Sequence, residues 1–206
     1  MTRIRMTRAA VIILLMLILP TPDAARATQI LPVNLEQIVS GASRIFTGTC
    51  VAVEDGVVPG TSIPVTAYTF SVSDPIKGDL EKTVVVRHLG VRRPRPQGDR
   101  TLVFRVPGMP VYREGQEVVL FLNPASSLGL SSPIGLSQGA FQIVRVDGKK
   151  MVQNGLGNKG LFLGIDAREF GTKWKLTPDQ QTVVGSEGPM DYDLFLEVIR
   201  KMIVLP

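Results

Sequence analysis

Apolar and polar residues alternate with a period of two through most of the chain. After a short segment with helical spacing at 35–42, valine, threonine and aromatic residues dominate the runs 44–54, 65–73, 83–89, 101–106, 117–122 and 140–146. Turn residues bound these runs, among them Asp55-Gly56, Pro75, Lys77-Gly78-Asp79, Pro107-Gly108 and Glu114-Gly115. Asp147-Gly148, set between two such runs, is the strongest hairpin signal and predicts one more strand at 150–153. Short strands with regular turns and few helices predict an all-β, mainly antiparallel fold, either an OB-like barrel or a sandwich. Near the C-terminus the period changes. Met190, Leu194, Phe195, Val198, Ile199, Met202 and Ile203 recur at three and four residues after Gly188-Pro189, which predicts an amphipathic helix packed on the β domain. The glycine-rich stretches 154–160 and 185–188 read as flexible connections, and the segment carrying Trp174 takes no place in this scheme.

The first residues change the organisation. Arg3, Arg5 and Arg8 precede an apolar run at 9–19, Pro20 and Pro22 interrupt it, and Ala25-Arg26-Ala27 supplies small residues two apart. That is the layout of a secretory signal peptide over 1–27, and the apolar run falls short of the roughly 20 residues that span a bilayer. The expectation is a secreted or periplasmic protein with no membrane attachment after cleavage. It would comprise a β-barrel domain at 28–155 and a C-terminal extension at 156–206.

Charge and cysteine content narrow the chemistry. Cleavage removes four arginines and one aspartate, so the net charge of +5 falls to +2, and the general basicity that would argue for nucleic acid goes with it. Cys50 is the one cysteine, so no internal disulfide can form and the fold rests on burial, with Cys50 itself read as a small buried strand residue. His88 is the one histidine, and with a single cysteine it cannot build the usual zinc site. Asp191-Tyr192-Asp193 opens the C-terminal helix rather than a calcium loop. No metal or cofactor is expected.

Several strand patterns occur in a recognisable order. Gly41 to Thr49 reads GASRIFTGT, 68–72 reads YTFSV, 76–79 reads IKGD, and 114–122 reads EGQEVVLFL. In this order they resemble a family of exported bacterial proteins whose strands follow the forms "vfvGtV", "ytFrV…lKGd" and "f..Ge..llFL". The same patterns are similar to netrin-type domains, the OB-like barrel of tissue inhibitors of metalloproteinases. The resemblance spans residues 35–146 and rests on turns and core positions, so it implies a fold more than an activity. It also implies, by analogy, company with a secreted matrixin-like protease. The inhibitors of that group place an N-terminal cysteine on the catalytic zinc, whereas the expected mature start here is Thr28-Gln29-Ile30.

Two short stretches carry candidate chemistry. Gly135-Leu136-Ser137-Gln138-Gly139 spells the G-x-S-x-G of many serine hydrolases. A nucleophile elbow, however, leads from strand to helix and is followed by its acid and histidine, while here a strand-like run follows and His88 comes before. Lys77 and Lys149 are the conceivable partners for a Ser–Lys dyad. The other reading gives the glycines a backbone role, at positive φ or close approach, where a serine-rich loop enters the last hairpin. The second stretch places Arg92, Arg93, Arg95 and Arg100 in a proline-bearing loop with one acid, Asp99. Guanidinium groups suit phosphate and carboxylate, so these four are the candidate binding residues, for an anionic envelope polymer or an acidic partner face. A solvated loop that guards strand edges is the alternative. The function expected is a secreted, non-catalytic binding or accessory module for an exported protein, such as a protease, or an envelope component. The alternatives are a serine hydrolase using Ser137, or a metalloprotease inhibitor lacking the cysteine mechanism.

Overall fold

Asn34 opens the first helix, α1 (Leu35–Gly41), through a capping box: its side chain accepts the Gln37 N–H at 3.1 Å while Gln37 Oε1 accepts the Asn34 N–H at 2.9 Å. This computed structural model describes residues 31–102 and 104–204, without the side chains of residues 95, 97, 100 and 102; the expected signal peptide lies outside the described residues. Leu35, Ile38 and Val39 of α1 are buried, at the three-to-four spacing that faces one side of a helix to a core.

A meander follows, made of β1 (Arg44–Val57), β2 (Pro64–Lys77) and β3 (Thr83–Leu89). The first two strands outrun their expected ends. Asp55 and Gly56 pair with Thr66 and Val65, and Pro75 sits opposite Phe46, so neither Asp55-Gly56 nor Pro75 breaks a strand. Pro75 is tolerated because β3 pairs only with residues 65–71, which leaves the outer side of β2 without a ladder there. Register shifts at 45/46, 47/48 and 50/52 bend the β1–β2 ribbon. A side chain at Gly48 would meet the Ser71 carbonyl at 2.6 Å, so the bend requires glycine at that point.

Beyond β3, a separate two-stranded hairpin, β4 (Arg95–Gln97) and β5 (Arg100–Leu102), stands apart from the main sheet. Of the run expected as a strand at 101–106, residues 101 and 102 belong to β5, and Arg105 forms an isolated bridge with Gly90, just past β3. β6 (Glu117–Leu122), β7 (Ala140–Val146) and β8 (Lys149–Asn154) come next, and then α2 (Ala167–Lys173) and α3 (Pro178–Gln181). A two-residue strand, β9 (Met190–Asp191), leads into α4 (Tyr192–Val204).

The sheet order is β3-β2-β1-β6-β7-β8-β9, with antiparallel neighbours throughout. The class is therefore mainly antiparallel β, as the alternation implied. The sheet is open: β3 and β9 are its edges and do not pair with each other. β9 is too short to extend the sheet before Asp191 caps α4 by accepting the N–H groups of Asp193 (3.0 Å) and Leu194 (3.1 Å).

β6 explains why its sequence is a continuous apolar run. Val119 and Phe121 face a core completed by Leu35, Ile38, Phe195 and Ile199, while Val118, Leu120 and Leu122 face a second core with Phe46, Tyr68 and Phe70. Cys50 is a free thiol buried in the second core. Trp174, unplaced by periodicity, ends α2 with its ring in the first core and donates Nε1–H to Glu36 Oε1 at 3.2 Å. Among the described residues no helix is long and apolar enough to cross a membrane.

Candidate functional site

Alternation along β3 turns Val84, Val86 and His88 inward, with Thr66, Tyr68 and Phe70 of β2 opposite them. The second core ends in rings. Tyr68 meets His88 edge-on at 5.1 Å, and Tyr112, carried in from the loop before β6, meets Tyr68 at 4.9 Å, Phe70 at 5.2 Å and His88 at 5.6 Å. Above these rings lies a cleft of about 280 Å³ between the end of the β2–β3 ribbon and the chain at 104–111. His88 and Tyr68 form part of its lining; Leu89, Phe104, Val106 and Met109 make apolar walls, and Arg92 and Arg105 stand in its lining as cations.

His88 is 3 % exposed, and neither ring nitrogen has a hydrogen-bond partner among the described residues. Burial pushes its pKa down to about 4. The Pro110 carbonyl acts in the opposite direction, favouring a ring proton, but its approach does not meet hydrogen-bond geometry. At neutral pH the imidazole is thus uncharged, with one N–H to donate and one bare nitrogen to accept. Beneath it the Tyr112 hydroxyl is likewise without a partner among the described residues, and burial raises its pKa well above the ordinary tyrosine value. Buried polar groups are seldom left unpaired, so the unpaired His88 ring in the lining of this cleft marks it as the candidate site.

Of the four arginines picked out by sequence, Arg92 and Arg93 have described side chains. Arg92 turns inward: its N–H donates to Asp55 Oδ1 at 3.2 Å, its Nη2 donates to the Val53 carbonyl at 3.3 Å, and its Nε lies 3.7 Å from Asp55. Burial opposes ionisation of Asp55, yet the Thr66 hydroxyl at 2.8 Å together with Arg92 holds its carboxyl below the ordinary value. Arg93 is exposed. Arg95 and Arg100 lie on β4 and β5, opposite Leu102 and Gln97, and their side chains are outside the described residues. Arg105, on the chain that flanks the loop, donates through Nη2 to the Arg92 carbonyl at 2.6 Å and has donors to spare at an exposed position.

A larger cavity of about 430 Å³ lies between α1 and α4, but its charged groups already have partners. Lys77 Nζ donates to the Val39 and Ser40 carbonyls at 2.9 and 3.3 Å, and Lys173 pairs with Glu36 at 2.7 Å. Among the described residues no three His, Cys, Asp or Glu side chains converge to hold a metal ion.

The GLSQG stretch is a single 3₁₀ turn, Leu136–Gly139, running straight into β7. Gly135 adopts φ +58°, where a side chain would collide with Val33, and a side chain at Gly139 would meet the Ile134 carbonyl oxygen at 2.5 Å. Gln138 is the buried polar residue: its Oε1 accepts the Val33 N–H at 2.9 Å and its Nε2 donates to the Leu31 carbonyl at 3.0 Å. Ser137 packs against the backbone of Gly155, and among the described residues its hydroxyl makes no hydrogen bond to His88, Lys77, Lys149 or an acid. Gly139→Ala is therefore expected to lower stability by about 2 kcal/mol through backbone collision, while Ser137→Ala stays within about 0.5 kcal/mol of wild type. Urea titrations of the two variants check this, and equal losses would contradict the backbone role. Comparison with family models, with curated proteins and with solved structures finds no match to this chain.

Proposed function

We propose that this chain is an exported, non-catalytic binding or accessory module whose binding end is the His88 cleft and its arginine lip. The observation that carries the reading is the buried, uncharged imidazole with both nitrogens unpaired at the floor of an apolar-walled cleft. Apolar walls beside two guanidinium groups suit a ligand that is part apolar and part anionic. Among the described residues no serine, cysteine or carboxylate is hydrogen-bonded to the ring, which favours holding over turnover.

Export rests on the tripartite pattern of residues 1–27. The strand order Gly41 to Leu122 supports kinship with exported bacterial proteins of the netrin-like, OB-like type. In this reading β1, β2, β3 and β6 around the aromatic core are the retained part of such a barrel. The partner is an exported protein, with a secreted protease as the analogy, or an anionic envelope polymer reached through Arg93 and the β4–β5 hairpin. Inhibition of a metalloprotease through an N-terminal cysteine has no support in Thr28-Gln29-Ile30.

A fluorophosphonate probe separates this reading from the hydrolase. Activated serines attack its phosphorus, and the proposal expects the wild-type protein to label no more than Ser137→Ala. Labelling of wild type that disappears in Ser137→Ala would overturn it.

A further inference from the structure

The lining of the cleft sets what it can hold. His88 contributes only the carbon part of its ring, because both nitrogens are sealed from solvent. Backbone acceptors of the lining are already engaged. The Gly90 carbonyl accepts the Thr66 hydroxyl at 3.0 Å, and the carbonyls of Phe104, Val106 and Gly108 accept the N–H groups of Val91, Met109 and Ser137, each at 3.1 Å. A polar group carried inside would give up water for few new hydrogen bonds, which is disfavoured. An apolar group would gain, since the walls are apolar and Phe104, 40 % exposed, has surface left to bury. The lip selects the other end of the ligand. Asp55 answers the charge of Arg92, whereas Arg105 has no ion pair among the described residues and makes one hydrogen bond, to the Arg92 carbonyl. One guanidinium charge is left over beside the apolar walls, which attracts a single anionic group and repels an ammonium. A planar carboxylate fits the guanidinium fork with two parallel hydrogen bonds. The cleft volume of about 280 Å³ sits at the small end for ligand sites, so the apolar part is short.

We infer that the cleft takes a small, free monocarboxylate with an apolar tail, the carboxylate at Arg105 and the tail against Leu89, Phe104, Val106 and Met109. The inference rests on the binding-module reading and adds the ligand class.

Nuclear magnetic resonance titration of the purified protein tests it with hexanoate, butyrate, hexan-1-ol, hexan-1-amine, adipate and a short peptide ending in leucine. Hexanoate should bind with a dissociation constant on the order of 1 mM and shift the backbone amides of Phe104, Val106 and Met109. Butyrate should bind about tenfold more weakly, because two fewer methylenes leave water. Hexan-1-ol should also lose about tenfold, because it lacks the charge-assisted pair with Arg105. The amine should not bind, and neither should adipate, whose second carboxylate would have to enter the apolar part of the cleft. Arg105→Gln, a change at an exposed side chain, should reduce hexanoate to the level of hexan-1-ol and leave the alcohol unaffected. Arg93→Gln, at an exposed residue of the same loop, should leave both within about twofold of wild type. Phe104→Ala should weaken acid and alcohol alike. Binding of butyrate, hexan-1-ol, the amine or adipate equal to that of hexanoate would overturn the inference. Equal losses in the Arg105 and Arg93 variants, or no saturable shift with any probe, would do the same. Tighter binding of the peptide than of hexanoate would also sink it, because the ligand would then be the end of a partner chain. Those outcomes leave the non-catalytic reading standing, because that reading falls on Ser137 labelling instead.

Discussion

Asn158→Ala is expected to lose about 4 kcal/mol of unfolding free energy, although the residue lies in a glycine-rich stretch that reads as a loose connection. Asn158 is 1 % exposed and reaches in three directions. Its Oδ1 accepts the Asn154 N–H at 2.8 Å, and its Nδ2 donates to the carbonyls of Val152 (3.1 Å) and Gly188 (2.6 Å). Asn154 answers with Oδ1 accepting the N–H groups of Leu156 (3.0 Å) and Asn158 (2.8 Å), and with Nδ2 donating to Gln138 (3.1 Å). Truncation leaves one N–H and two carbonyls short of a bond, at about 1–3 kcal/mol for each buried group left fully unpaired. Asn158 also sits at φ +61°, where alanine costs about 1 kcal/mol more than asparagine or glycine. Asn158→Gly separates the two contributions, because it relieves the backbone without restoring the hydrogen bonds. Urea unfolding followed through Trp174 fluorescence should order the proteins wild type, glycine variant, alanine variant. A glycine variant as stable as wild type would show that the hydrogen bonds contribute nothing.

The same residues show where sequence reasoning stops. Strands 83–89, 117–122 and 140–146 were legible to the residue, because period and turn chemistry are local. The 154–160 turn was not, because its hydrogen bonds depend on Gly188, thirty residues further on, and on Gln138, sixteen before Asn154. Composition alone could not tell that Asn154 and Asn158 face each other. In the arginine loop Arg92 and Arg93 are adjacent in sequence, yet one turns in to Asp55 and the other is exposed, a difference that composition does not carry. Closure into a barrel also depends on long-range pairing, and a two-residue β9 gives no edge for β3 to meet. The candidate site did leave a trace. Thr83-Val84-Val85-Val86-Arg87-His88-Leu89 puts His88 in phase with Val84 and Val86, so strict alternation alone assigns the only histidine to the interior.

That interior placement makes His88 the dominant source of acid sensitivity specific to the cleft. Its pKa is about 4 when folded and 6.5 when exposed by unfolding, so the unfolded chain binds the extra proton between those values. Stability is therefore complete above pH 6.5 and falls as pH drops toward 4, by about 3 kcal/mol for this one group between pH 7 and pH 4. His88→Phe keeps a ring of similar size against Tyr68 and Tyr112 and removes the titration. Carboxylates such as Asp55 titrate in both proteins, so the difference between the two stability-versus-pH curves isolates the imidazole. The expected result is a gap that closes by about 3 kcal/mol in favour of the variant on going from pH 7 to pH 4, measured by urea unfolding at several pH values. Parallel curves would mean that His88 keeps access to a proton in the folded state, which is incompatible with a dry, uncharged floor.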